Sequence, residues 1–441
     1  MRLKRPRPHT RAARTAASKP PASAPTRTPE LSTASAGPPA RRERSGAARE
    51  GASTPPELRL FAVATPGLEP VVAAELQALP GARQLVTVPG GVEFTGDLAA
   101  LYRANLWLRS ASRVLLRLAE LRALHFASLR RQVAQLPWER FAPSPVRVTV
   151  AATAHRCRLY HSTAVAERIA LGIADRGIEV LPADSPRAAP ELHLIARGTD
   201  DLFTISLDTS GELLHRRGYR SEDAGAPLRE TLAAALLQLC EWDGSTPLLD
   251  PTCGSGTLVI EAALLAARRA PGRHRSFAFH SWPTFAPSVW SALLAAADAA
   301  TRPLRSGLLY AADLDPSAIA TARRNAARAG VESLITWSVA DLSHSRLPAG
   351  PPGLVLSNPP YGVRLRTPQR LYHDLGRLSR SAPGWRLGVL TTDARLARAA
   401  GPFARSHPLF SGGLRVTLHL SAGPPESSPL LCSEPPAPRP G

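Results

Sequence analysis

Between residues 58 and 210 the apolar positions change spacing repeatedly, from the alternation of a half-buried strand to the three-and-four spacing of a helix packed on one side. The pattern predicts strands over Leu58–Thr65, Gln84–Val88, Gly91–Phe94 and Arg113–Ala119, with helices over Glu69–Leu79, Asp97–Leu108 and His125–Leu136. A strand at Val146–Ala151, a helix at Ser162–Arg176 and strands near Leu192–Ala196 and Leu202–Leu207 follow. This is a small α+β assembly. From Pro227 the rhythm becomes a regular alternation of strand and helix. Helices are expected at Leu228–Glu241, Thr257–Arg268, Pro316–Ala329 and Gln369–Ser381, with strands at Pro247–Asp250, Gly307–Ala312, Ile335–Val339, Gly353–Leu356 and Trp385–Leu390. Such alternation builds a parallel sheet covered on both faces. The run Leu414, Val416, Leu418, Leu420 alternates as an antiparallel strand does, completing a sheet of about seven strands.

The ends of the chain lack this patterning. Residues 1–57 are rich in Arg, Ala, Pro, Ser and Thr, and residues 422–441 in Pro and Ser, compositions that bury too little apolar surface to order themselves. Both are expected to be disordered tails. Lys and Arg number 54 against 35 Asp and Glu, a formal net charge of +19 that favours a polyanionic partner such as nucleic acid. Nearly half of that excess lies in the first fifty residues, and all cations except Lys4 and Lys19 are arginine. Charge alone therefore does not fix the partner. Cys157, Cys240, Cys253 and Cys432 form no CxxC pair, which argues against a zinc site or a disulfide framework and for a reducing, cytoplasmic location. No segment approaches the roughly 18 uninterrupted apolar residues of a membrane span.

The chemistry begins where an apolar strand runs into Asp250-Pro251-Thr252-Cys253-Gly254-Ser255-Gly256-Thr257, a glycine turn that opens a helix. Glycines suit such a turn because a side chain would keep a ligand from the backbone N–H groups at the helix N-terminus. Neither Gly-Lys-Ser nor GxGxxG is present, so the turn is not a phosphate loop or a dinucleotide fingerprint. Alone, it is an ordinary strand-to-helix turn. The next strand, however, ends in Asp313-Leu314-Asp315-Pro316, placing an acid where a ribose would lie over the switch point. Asp313 can accept both ribose hydroxyls, and Leu314 can pack on an adenine face. Asp315, just before Pro316, is the helix cap. Asp341 and Leu342 close the third strand at the height of an adenine amino group.

The fourth strand ends in Ser357-Asn358-Pro359-Pro360-Tyr361-Gly362. An exocyclic base amine is a poor nucleophile because its lone pair is delocalised into the ring. If the Asn358 side-chain oxygen and the Pro359 carbonyl each accept one of its hydrogens, the nitrogen becomes more tetrahedral and its lone pair is freed for attack. Two prolines hold that geometry with little entropy left to lose. Tyr361 is placed to stack on an extruded base. Cys253 invites a covalent reading, in which a thiolate attacks the base, but its place in the glycine turn puts it beside the ligand of that turn instead.

These motifs resemble class I methyltransferases of the N-P-P-Y type, which act on adenine N6 in DNA or guanine N2 in RNA. Tyr219-Arg220, Ala226 to Ala233, Asp250 to Thr257 with Glu261-Ala262-Ala263, and Ser357 to Gly362 are similar to the bacterial THUMP-containing ribosomal RNA guanine-N2 methyltransferases. Upstream, Phe61-Ala62, Gly67-Leu68-Glu69, Gly90-Gly91-Val92 and Leu106 to Arg113 resemble that family's ferredoxin-like segment, and Arg158-Leu159-Tyr160-His161 part of its THUMP module. The resemblance covers residues 58 to 421. It implies a ferredoxin-like segment at 58–120, a THUMP-like RNA-binding domain at 121–210 and a Rossmann-like methyltransferase domain at 211–421. It also implies S-adenosylmethionine as cofactor, no metal, and RNA contact by Arg158, Tyr160 and His161. The substrate is expected to be a guanine N2 of 23S ribosomal RNA. Some relatives carry a second methyltransferase domain; only the Pro-rich tail follows here, so a second activity is not expected.

Three other readings stay open at this point. An adenine-N6 DNA enzyme shares the reactive loop but predicts no RNA-binding module upstream. A decayed, non-catalytic RNA-binding protein predicts a damaged glycine turn or a missing Asn358, and both are intact. A transfer RNA guanine-N2 enzyme has the same two-domain plan.

Overall fold

A computed structural model describes residues 57–182, 184–220, 228–305, 307–360 and 368–422. The expectations for the two tails and for Tyr361 fall outside these residues.

The first half contains β1 (Leu58–Val63), α1 (Glu69–Gln77), β2 (Arg83–Val88), β3 (Gly91–Gly96), α2 (Leu98–Trp107), β4 (Arg113–Arg122), α3 (Phe126–Ala134), β5 (Val146–His155), α4 (Ser162–Ala174), β6 (Val180–Leu181), β7 (Glu191–Thr199) and β8 (Leu202–Asp208). Their strands form one eight-stranded sheet in the order β2-β3-β1-β4-β8-β7-β5-β6. The first six elements give the ferredoxin-like βαββαβ plan. In β1, Leu58, Leu60 and Ala62 point into the core while Arg59 between them is exposed. Helix α2 starts where the Asp97 carboxylate accepts from Ala100 N at 2.8 Å, satisfying one of the free N–H groups of the first turn. Because β4 pairs with β8 from Leu115↔Asp208 to Arg122↔Leu202, the sheet is unbroken at residue 120. Residues 58–120 and 121–210 share one sheet and one hydrophobic core.

The second half contains α5 (Glu230–Leu239), β9 (Leu248–Asp250), α6 (Thr257–Ala266), α7 (Pro287–Ala299), β10 (Leu309–Asp313), α8 (Pro316–Arg328), β11 (Ile335–Val339), β12 (Leu354–Ser357), α9 (Pro368–Arg380), β13 (Arg386–Thr391), α10 (Ala394–Ala400), β14 (Arg405–Ser411) and β15 (Leu414–Leu420). The seven strands run β11-β10-β9-β12-β13-β15-β14, and β15 runs opposite to the other six. Sequence patterning misses β14. It contains Pro408 and buries only Leu409, which suits an edge strand, where a missing N–H costs no ladder bond. It also misses β6, α7 and α10.

Helix α7 belongs to the first core although its sequence lies within 211–421. The stretch from Ala270 to Ala297 buries Phe277, Phe279, Trp282, Trp290 and Leu293 with residues of the first sheet and its helices. Tyr102 of α2 stacks on Phe279 at 4.5 Å, and Trp290 meets the same ring edge-on at 5.5 Å. The excursion between α6 and β10 thus joins the two halves through buried aromatic surface, the contact type with the largest area per residue.

A buried polar network continues this joint. Arg109, after α2, donates to the carbonyls of Leu264 at 3.3 Å and Arg269 at 2.6 Å, at the C-terminal end of α6. Burial pulls its guanidinium down to about 10. Arg217 donates to the Arg109 and Leu214 carbonyls and lies 3.6 Å from Glu261, which accepts from the Tyr219 hydroxyl at 3.0 Å. Glu261 sits inside α6, so the network anchors the helix whose opposite end carries the glycine turn.

Candidate active site

The C-terminal ends of β9, β10, β11 and β12 lie side by side because the parallel registers align Leu309 with Leu248 and Ile335, and Leu354 with Leu248. This edge is the expected ligand position in an open α/β sheet. A cleft of about 860 Å³ opens there, lined by Gly254, Asp313, Leu314, Asp341, Leu342, Asn358, Pro359 and Pro360 among others. Asp250, Cys253 and Thr257 line a recess of about 100 Å³ beside it, which Asn358 also borders. Four strands and their loops have brought together residues spread over more than a hundred positions.

The glycine turn is tied on three sides. Cys253 N donates to Ala312 O at 2.9 Å, the Asn325 amide of α8 donates to Ser255 O at 3.0 Å, and Gly254 N donates to Asp313 Oδ2 at 2.8 Å. Gly254 has φ +52 and open space where a Cβ would stand, so backbone there is accessible to a ligand. Gly256, two residues on, also faces α8. It lines neither cavity; its φ is +81, and a Cβ would stand 2.9 Å from Ala322 Cβ of α8. Its lack of a side chain lets α8 pack against the turn.

Asp313 accepts from Asp315 N at 3.0 Å through its other oxygen, and each oxygen keeps a further lone pair for a hydroxyl. Asp315, at the rim of the same cleft, caps α8, accepting from Ser317 N at 2.8 Å. Leu314 is 68% exposed on the cleft wall, an unusual place for a leucine unless a ligand covers it. Asp341 reaches the cleft while accepting from Ser343 N at 2.8 Å, and Leu342 beside it is buried.

Asp250 is buried, accepting from Thr252 N at 3.2 Å. Burial, reinforced by the nearby Asp313 charge, pushes its carboxyl from 3.8 to about 8. The folded chain then holds a proton that the unfolded chain releases, so this group's stabilising contribution declines as pH rises from about 4 toward 8. Asp250→Asn keeps the shape without the titration, and the slope of its urea midpoint against pH is expected to flatten over that interval. A wild-type slope in the variant would show that Asp250 is ionised in the native protein.

Burial, with Asp250 and Asp313 adding to it, also pushes the Cys253 thiol upward, which keeps it neutral. A neutral thiol is a poor nucleophile. Cys253→Ala is expected to retain turnover within roughly threefold, whereas a covalent role would abolish it.

At the end of β12, Ser357 is fully buried and its hydroxyl lies 2.6 Å from Thr252 Oγ1, linking the reactive loop to the glycine turn. That link is invisible in sequence, since the two residues are far apart. Asn358 precedes a proline and is thereby held to extended backbone. Its Oδ1 is buried and has no hydrogen-bond partner among the described residues. Leaving a buried acceptor unmade costs free energy, and a donor arriving in the cleft would remove that cost. Leu228, Leu371 and Leu414 also line the cleft, and sequence reasoning assigned none of them to the site. Arg220 holds Leu228 in place, donating to its carbonyl at 2.8 Å and to Thr257 Oγ1 at 2.7 Å.

Arg158, Tyr160 and His161 lie apart, between the end of β5 and the start of α4, and their side chains are exposed. The Tyr160 and His161 rings are 4.1 Å apart, and Arg158 N is held by Asp201 at 2.7 Å. Among the described residues no group of three or more His, Cys, Asp or Glu could hold a metal ion, and no helix is long and apolar enough to cross a membrane.

Residues 217–407 match the family described as RMKL-like, methyltransferase domain, and residues 59–115 match the RlmL ferredoxin-like domain. Among solved structures, SMU.472 complexed with SAH is 30% identical with a TM-score of 0.76, covering 83% of this chain and 98% of its own. A predicted N6-adenine-specific DNA methylase from Listeria monocytogenes is 31% identical with a TM-score of 0.76, covering 84% and 97%. TrmN from Thermus thermophilus, 24% identical with a TM-score of 0.61 over 82% and 98%, shares the fold.

Proposed function

This chain belongs to the RMKL-like methyltransferase family, and from that premise we propose that it uses S-adenosylmethionine to methylate the exocyclic N2 of a guanine in 23S ribosomal RNA, in the cytoplasm. The observation that carries the base-amine reading is the buried, unpartnered Asn358 Oδ1 at the cleft. The residues present suit the cofactor: an open backbone cradle at Gly254, the Asp313 carboxylate at ribose height, and Leu314 and Asp341 beyond it. When bound there, S-adenosylmethionine supplies an electrophilic methyl group on a sulfonium.

The chain's own part is to position the amine. Asn358 Oδ1 and the Pro359 carbonyl accept its two hydrogens, draw the nitrogen toward tetrahedral geometry, and face the positive charge that grows on it during transfer. No general base is required before the new N–C bond forms; the proton leaves afterwards toward these oxygens or solvent. Asp250 is buried and is not called on as that base.

The ferredoxin-like segment at 59–115 supports RNA over DNA, since a match to that RlmL domain accompanies the catalytic one. RNA is held in this reading by the THUMP-like region 121–210, through Arg158, Tyr160 and His161. The test is to incubate the protein with methyl-tritiated cofactor and ribosomal RNA, transfer RNA or DNA from cells lacking the gene, and identify the labelled nucleoside. Label in N2-methylguanosine of 23S RNA is expected. Label in transfer RNA guanosine would move the substrate, and label in N6-methyladenine of DNA would overturn the RNA reading.

A further inference from the structure

Strand β15 carries an apolar row, Leu420, Leu418, Val416 and Leu414, whose members are 0, 0, 2 and 54% exposed. The first three lie in the core of the second sheet. The fourth has run past it. The last pair between β13 and β15 is Thr391↔Thr417, so the β14–β15 hairpin continues as a two-stranded ribbon beyond the C-terminal end of β13.

A tight turn closes that ribbon, with Gly412 and Gly413 at φ +55 and +86 between the paired Ser411 and Leu414. Such a turn needs left-handed backbone and fits the twist of its strands. On the outer face the Arg415 guanidinium lies 5.7 Å from the Phe410 ring centre, bracing the tip. The inner face presents Leu414 to the cleft, together with Asn358, Pro360 and Leu371.

Sheet order then says which part of the cleft Leu414 serves. Gly254, Asp313 and Asp341 follow or end β9, β10 and β11, on one side of Asn358, whereas β13 and β15 lie on the other. Leu414 is thus separated from the cofactor motifs by the amide that receives the substrate. An apolar side chain raised on a braced hairpin, beside an amide awaiting a planar heterocycle, can pack on that ring while the amide reads its edge.

We propose that Leu414 is a substrate-positioning residue whose side chain packs on the target base and holds its amine against Asn358. This rests on the base-methylating reading above. The experiment compares full-length wild type with Leu414→Ala, Leu414→Met and Val86→Ala, using ribosomal RNA from cells lacking the gene and S-adenosylmethionine. Val86 is a control, 53% exposed on the edge strand β2 and not among the residues that line the cleft. Leu414→Ala is expected to lower kcat/KM for RNA by roughly tenfold or more with the calorimetric Kd for S-adenosylmethionine within about twofold, and Met to restore most of the loss. Val86→Ala should change neither. If Leu414→Ala keeps kcat/KM within threefold of wild type, or weakens cofactor binding as much as RNA turnover, the proposal is overturned. Wild type that labels none of the RNA refutes the broader RNA reading instead.

Discussion

Asn358→Ala is expected to lower methyl transfer by roughly 10²–10³-fold while leaving cofactor affinity within about threefold. The loss is that of a preorganised dipole aimed at a centre where positive charge develops, and such dipoles act mainly on the transition state. The substitution removes the side-chain carboxamide alone; the two prolines still hold the loop, and the Thr252–Ser357 contact still ties it to the glycine turn. The folded state should not suffer, because the variant deletes a buried acceptor that has no partner among the described residues. Single-turnover rates with labelled cofactor, beside calorimetric cofactor binding, separate the two effects. Near-normal turnover would show that Asn358 does not clamp the amine.

Asp313→Ala should weaken S-adenosylmethionine binding by roughly ten- to a hundredfold, the range expected when a charge-assisted hydrogen bond worth about 1.5–3 kcal/mol is removed. Its neighbour Asp315 is the control. Asp315→Ala loses the α8 cap, at a cost of about 1 kcal/mol of stability, and, because both carboxylate oxygens are already engaged by Ser317, should weaken cofactor binding far less than Asp313→Ala does. Isothermal titration and urea unfolding of both variants test the assignment. Equal losses of cofactor affinity in the pair would mean that Asp313 merely supports the loop through Gly254 and Asp315.

The legible parts of the site were those in which one short segment carries both the element and its chemistry. Asp250 to Thr257 reads as strand, turn and helix start from adjacent residues, and Asn358-Pro359-Pro360 is restrained by proline geometry whatever surrounds it. Gly256 shows where this reasoning stops. Glycine is demanded there by φ and by α8 alike, and sequence cannot distinguish a close ligand from a close helix. Strand β14 stayed hidden because an edge strand with a proline and one buried side chain has no periodic signal.

The sequence by itself determined the order of most helices and strands, the parallel character of the second sheet, and the positions of the glycine turn, Asp313 and the Asn-Pro-Pro loop. These follow from local backbone preference and from burial periodicity, which act over a few residues at a time. The tertiary structure alone decided that residues 270–297 complete the first core, that Arg109 anchors the far end of α6, and that Leu414 overlooks the cleft. Each of these depends on surfaces from distant parts of the chain meeting in space, and no local periodicity encodes which surfaces those are.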